Sequence, residues 1–155
     1  MRASIALCLT LCTCAPTRHT IHGSDGVGLE FDMRIDATYK AFPEVHGFII
    51  RSSRNEPLLI VTDQGFAMSA DQSARVETQL ARQRVPGWRH AVGLGRSLLA
   101  LALRCGDRTL TITTGSLNSG EAEAAVAMIA TLDPGETCIA VEPVRSGSAL
   151  QFNQP

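Results

Sequence analysis

The sequence of 155 residues is poor in aromatic side chains, in lysine and in net charge. It holds one Trp, one Tyr and five Phe, and its 14 basic residues face 15 carboxylates for a formal charge of −1. A chain without excess positive charge, and without aromatic residues among its basic ones, lacks both the attraction and the stacking surfaces that nucleic-acid binding needs. The sequence therefore predicts no nucleic-acid partner.

The common catalytic signatures are also missing. The chain has no Gly-x-Ser-x-Gly elbow, no Walker loop and no His-Glu-x-x-His motif. The Gly-rich stretches at 23–28 and 93–96 do not open predicted helices, as a phosphate-binding loop would. His19 and His22 lie in a segment without helical periodicity, so their spacing does not gather metal ligands. We therefore expect no metal and no cofactor.

No apolar run approaches the ~20 residues of a membrane-spanning helix, but residues 1–15 differ from the rest. One Arg precedes an uncharged run rich in Leu, Ala, Ile and Cys. This pattern predicts an export signal. Cys14 resembles the lipidated residue of a bacterial lipobox, although Thr13 stands where Gly, Ala or Ser is usual. The alternative is ordinary cleavage near Cys14 or Ala15. The predicted location is the periplasm or envelope, with membrane contact only through a lipid anchor.

Outside the first fifteen residues the chain has two cysteines, Cys105 and Cys138. In an oxidising compartment an isolated pair usually forms a disulfide. Two separate buried thiols are the alternative. Neither cysteine has a second Cys or His within the spacing of a zinc site. The pair therefore predicts a structural bridge.

Hydrophobic periodicity predicts a single α+β domain over residues 27–142, after a tether at 16–26 and before a loose tail at 143–155. Apolar and polar residues alternate over 27–36, as in a half-buried strand, and 47–52 with 58–62 predicts a hairpin. Further strands are expected at 88–95, 98–103, 109–113 and 139–141. Because hairpins outnumber crossovers, we expect a mainly antiparallel sheet of about six to seven strands.

Two helices are expected, both on one face of the sheet. Residues 69–72, Ser-Ala-Asp-Gln, form a capping-box pattern that predicts a helix over 70–84, which Pro86-Gly87 ends. A second helix is predicted over about 120–132, capped by Asn118 or Ser119. Its predicted apolar face comprises Ala122, Ala125, Val126, Ile129 and Leu132.

Charge is segregated along the second half of the chain. Residues 78–106 contain five Arg and no carboxylate, whereas residues 109–143 contain five carboxylates and no Arg or Lys. If the Arg side chains share a face they attract anions; otherwise they are ordinary solvated strand ends. Trp and Arg also dominate protein-binding hot spots. The predicted binding residues are therefore Arg82, Arg84, Trp88, Arg89 and Arg96.

These observations predict an exported, non-catalytic binding or accessory protein of the bacterial cell envelope. It would resemble an inhibitor, an immunity protein or an assembly subunit in its action, and its partner would be a protein or an anionic envelope component. The alternative is a small envelope hydrolase that uses His46 or His90 with Asp63 as acid–base groups. A purely structural lipoprotein is a third possibility, and it predicts neither a pocket nor a coherent charged patch.

Overall fold

The computed structural model describes residues 17–22, 28–64, 68–69, 73–135, 137–142 and 145–146. The predicted export signal, Cys14 and most of the tail lie outside these residues. The described elements are, in chain order, β1 (Thr17–His22), β2 (Gly28–Met33), β3 (Lys40–Glu44), β4 (Gly47–Arg51), β5 (Pro57–Thr62), β6 (Met68–Ser69), β7 (Ser73–Gln79), β8 (Arg84–Gly93), β9 (Arg96–Cys105), β10 (Arg108–Thr114), α1 (Ser119–Ile129), β11 (Cys138–Val141) and β12 (Arg145–Ser146).

Eight strands form one antiparallel sheet, in the order β3-β4-β5-β10-β9-β8-β7 with β11 also paired to β9. The chain builds this sheet from two meanders, β3 to β5 and β7 to β10, which join where Ile112 of β10 faces Val61 of β5. The prediction of a mainly antiparallel sheet is confirmed, with eight strands rather than six or seven. Strands β1 and β2 pair as a separate hairpin, and β6 pairs with β12.

Strand β9 shares one of its edges between two partners. Its first half pairs with β8 as far as Gly87↔Leu101, and its last residues pair with β11 from Ala102↔Val141 onward. The change of partner falls beside Pro86, which has no backbone N–H to offer a ladder. Pro86 and Gly87 therefore end the pairing of β8 with β9, whereas we had expected them to end a helix.

The predicted helix over 70–84 is wrong. Residues 73–79 form edge strand β7, and Arg84 opens β8. The side chains of Val76, Thr78 and Leu80 turn to the core while the residues between them are exposed. That is the period of two of a strand, and it outweighs the capping-box pattern. The described residues therefore contain one helix, not two.

Besides the two-residue strands β6 and β12, which were also not expected, the structure differs from the sequence-based expectation in β1 and β3. Residues 17–22, expected as part of an irregular tether, pair with β2 through backbone hydrogen bonds. Strand β3 was not expected because it contains Pro43; it lies at the edge of the main sheet, where a missing N–H is tolerated. Both strands depend on long-range pairing more than on local preference.

Helix α1 begins where the sequence predicts. The side chain of Asn118 accepts a hydrogen bond from the Glu121 N–H at 3.0 Å, and the Glu121 carboxylate accepts one from the Asn118 N–H at 3.2 Å. The buried face consists of Ala125, Met128 and Ile129. Val126 was expected on this face but is exposed, and Met128 takes its place in the core.

The core lies between one face of the main sheet, α1 and the β1–β2 hairpin. Phe31 of β2 stacks on Phe48 of β4 with ring centroids 5.4 Å apart. Cys105 and Cys138 face each other in the β9–β11 pair and form the expected disulfide, with Cα atoms 4.1 Å apart. The bridge therefore fixes β11 to the strand that also carries β8. Among the residues that the structure describes, no helix has the length and apolar character needed to cross a membrane.

Candidate functional site

Three charged or ionisable side chains meet at one end of the main sheet. Asp63 follows β5, His46 precedes β4 and Arg108 opens β10. The Asp63 Oδ1 lies 3.4 Å from the His46 Nδ1, and the Asp63 Oδ2 forms an ion pair with the Arg108 guanidinium. The Asp63 and Arg108 side chains are only 12% and 15% exposed. The predicted pair of His46 and Asp63 is therefore brought together, with an arginine that the sequence did not suggest.

This cluster lacks the parts of a hydrolytic centre. Among the described residues the Asp63 Oδ1 has no hydrogen-bond partner, so its 3.4 Å approach to the His46 Nδ1 is a contact without hydrogen-bond geometry. The nearby Thr62 hydroxyl donates to the His46 backbone carbonyl at 2.9 Å and is thereby occupied. Within the described segments, no Ser or Thr hydroxyl is bonded to the His46 imidazole. The arrangement closes one end of the core with an ion pair.

An apolar cavity of 340 Å³ lies beside His46. Its lining includes Gly47, Ile49 and Ile60 from the β4–β5 hairpin. A cavity of this volume is at the lower end of the range for small-molecule sites. It offers His46 as its ionisable group together with Glu44 at its rim, and Asp63 is not among its lining residues.

His90 occupies a different part of the sheet. Its Nδ1 lies 3.3 Å from the Ser73 hydroxyl, across the β7–β8 pair. Three strand spacings separate β8 from β5, which is about 14 Å. The structure therefore does not bring His90 to Asp63, and the predicted pairing of His90 with Asp63 is not formed.

The predicted Arg-rich patch is dispersed. Arg82 lies in the β7–β8 turn, where its Nε is 2.7 Å from the Asp133 carboxylate. Arg84 and Arg89 lie five residues apart on β8 and so point to opposite faces. Arg84 opens β8, whereas Arg96 opens β9 opposite Gly93 at the other end of β8, about 30 Å away. The structure leaves no single surface that contains all four arginines.

Trp88, the predicted apolar anchor of that patch, is 4% exposed. It packs on Ala100 and Leu98 of β9. Its side chain is therefore part of the folded sheet and is not displayed to a partner in this conformation.

The β8–β9 hairpin carries a surface that sequence reasoning missed. Residues 91–96, Ala-Val-Gly-Leu-Gly-Arg, are all exposed, and Leu94 is fully so. Arg89 lies just before this stretch and Arg96 is its last residue; like Arg84, neither forms an ion pair or hydrogen bond with the described residues. We define residues 91–96 as the hairpin tip, and the tip with Arg89 as the hairpin surface. The signal was present in the Gly-Leu-Gly-Arg stretch at 93–96, which we had considered only as a candidate phosphate-binding loop.

The described residues contain no group of three His, Cys, Asp or Glu side chains placed to hold a metal ion. Comparison of the chain with protein-family models, with curated proteins and with solved structures finds no match. The function must therefore be inferred from the side chains and surfaces described above.

Proposed function

We propose that the protein is an exported, non-catalytic binding protein of the bacterial cell envelope that engages an anionic partner through the hairpin surface. The observation that carries this proposal is that neither Arg89 nor Arg96 forms an ion pair with any residue that the structure describes. Other arginines of the chain, Arg75, Arg82 and Arg108, each form an ion pair with a carboxylate. Two exposed guanidinium groups with no counter-charge among the described segments give the hairpin a positive potential that attracts anions.

Two features support the export part of the proposal. The first fifteen residues have the charge and apolar pattern of an export signal. The Cys105–Cys138 disulfide suits an oxidising compartment, because thiols in the cytosol are usually kept reduced.

Charge reversal tests the binding part. The variant Arg89→Glu/Arg96→Glu should lose the envelope component, protein or lipid, that co-purifies with the wild-type chain. Arg84→Glu is the matched control, since Arg84 is equally exposed and unpaired but lies at the other end of β8. Quantitative mass spectrometry of the captured material is the measurement. Equal recovery with the double variant and the control would reject the hairpin surface.

The contact between His46 and Asp63 beside the 340 Å³ cavity supports a second candidate, a small hydrolase. The ion pair of Asp63 with Arg108 and the occupied Thr62 hydroxyl argue against it. We expect the wild-type chain to hydrolyse none of a panel of ester, amide and glycoside substrates. Turnover that His46→Ala abolishes would replace the binding proposal with the enzymatic one.

A further inference from the structure

We propose that the hairpin tip inserts Leu94 and Val92 into the interfacial region of an anionic lipid bilayer. This inference rests on the proposed function and names its partner as a lipid surface. It draws on the position of the tip, the backbone of its turn, and the charges around it.

The tip projects beyond the described residues that flank β8 and β9. On one side, the first described residue of β7, Ser73, faces His90. On the other, the pairing of β10 with β9 ends at Thr113↔Ala100. On that side Leu117 also bridges Ser97, so the described residues beside β9 reach as far as Ser97. Residues 91–96 extend past these described neighbours, and their ladder partners are one another and Ser97. The apolar side chains of a convex projection are buried most completely by a fluid medium, such as the interfacial region of a bilayer, that can surround them.

The turn at the tip holds a leucine where the backbone disfavours one. Leu94 has φ 51° and Gly95 has φ 71°. Positive φ at both central residues is the requirement of a type I′ turn, in which Asn-Gly is preferred. A bulky residue in this region is strained. Because Leu94 is fully exposed, no packing within the folded protein compensates for the strain. Strain at an exposed apolar residue points to a role outside the folded domain.

The charges around the tip fit a bilayer. Arg89 lies behind the apolar side chains, Arg96 lies beside them opposite Gly93, and the stretch from Thr78 to Gly106 contains no carboxylate. Apolar residues ahead of basic ones match the layering of acyl chains beneath anionic headgroups. A protein pocket fits less well, because Leu and Val are under-represented in protein hot spots. Apart from Arg96, the tip has no polar side chain with which to recognise a particular protein.

Vesicle binding tests the inference directly. The full chain carries Cys14→Ser in every variant, so that no acyl chain on this residue contributes. We expect co-sedimentation with vesicles of phosphatidylglycerol and phosphatidylcholine in equal parts, and little with phosphatidylcholine alone. Leu94→Asn should lower the partition coefficient about tenfold, the effect of removing one exposed leucine side chain from an apolar environment. Val45→Asn is the matched control, since Val45 is 81% exposed in the β3–β4 turn, and it should bind as the wild type does.

A probe at the tip separates this contact from any vesicle binding by the N-terminal segment. The indole introduced by Leu94→Trp should shift its emission to shorter wavelength on anionic vesicles. Unchanged emission, or equal partition of Leu94→Asn and the wild type, overturns the inference. If the lipid experiments fail while Arg89→Glu/Arg96→Glu still loses a captured protein, the proposed function stands and the partner is that protein. If neither experiment responds, both proposals are rejected.

Discussion

At the scale of single residues, replacing Leu94 should change the stability of the fold and the binding to vesicles in opposite directions. Replacing Leu94 with Asn should raise the free energy of unfolding by about 1 kcal/mol, because Asn tolerates the left-handed backbone that costs other residues about 1–2 kcal/mol. The exposed leucine loses no internal packing in the exchange. Urea denaturation of Leu94→Asn measures the change, with Val45→Asn expected to be nearly neutral. A less stable Leu94→Asn would show that the leucine makes a stabilising contact in the folded chain.

A second residue-scale prediction concerns Asp63. Asp63→Asn should destabilise the fold by about 2 kcal/mol, since it leaves the largely buried Arg108 guanidinium without its counter-charge. The matched control is Glu142→Gln, whose partner Arg75 is 61% exposed, and where a loss of no more than about 0.5 kcal/mol is expected. Chemical denaturation of both variants gives the comparison. Equal losses would mean that burial does not strengthen the Asp63–Arg108 pair.

At this scale the sequence indicates which residues are ionisable, but it does not show how they pair. It named His46 and His90 as possible partners of Asp63, and only strand order decides between them. Arg108 was missed because it is 45 residues from Asp63 in the chain, and nothing local indicates that β10 lies beside β5. The exposure of Arg89 and the ion pair of Arg82 likewise depend on register and on turns, which composition does not reveal.

At the scale of elements, Gly87 allows β8 to lie against β9 before the two strands part. A Cβ placed on Gly87 would lie 2.3 Å from the Leu101 Cδ2 and 2.8 Å from the Ala100 carbonyl oxygen. Gly87→Ala should therefore destabilise the protein by about 1–3 kcal/mol through overpacking. Gly120→Ala is the matched control, because its Cβ would make only an ordinary contact, 3.8 Å from the Asn118 Oδ1. This substitution should stabilise the protein by about 0.5 kcal/mol. Thermal denaturation of the two variants should move in opposite directions.

The elements also show which secondary structure can be predicted from local sequence patterns. Helix α1 could be predicted because its cap and its apolar spacing agree with each other. Strand β7 was mistaken for a helix because a capping-box pattern precedes it, while its inward residues, Val76 and Thr78, are few. An edge strand with one polar side offers little periodicity to detect, and its pairing with β8 supplies the stability that its own sequence does not indicate.

At the scale of the whole molecule, the disulfide secures the return of the chain from α1 to the sheet. Replacing Cys105 and Cys138 with Ala should lower the free energy of unfolding by about 4 kcal/mol, the value for closing a loop of this length in the chain-entropy model. Denaturation with and without reductant provides the measurement. Reductant should destabilise the wild type and leave the double variant unchanged. A double variant as stable as the oxidised wild type would show that β11 holds without the bridge.

The global arrangement was the part least accessible from sequence. An antiparallel α+β domain could be inferred from the number of hairpins, but the join between the two meanders could not. The connection from β5 to β7 passes three intervening strands, β10, β9 and β8, and such non-local pairing has no local signature.

The long axis of β8 also gives the molecule two poles. Thr17 pairs with Met33, beside the backbone bridge of Asp32 with Asp133 and near the β7–β8 turn, where Arg82 meets Asp133. The hairpin tip lies at the other end of β8, about 30 Å away. Cys14 is three residues before Thr17, so an acyl chain there could start at most about 11 Å from Thr17. A chain attached to lipid at both of these ends must either lie with β8 parallel to one bilayer or span the gap between two surfaces.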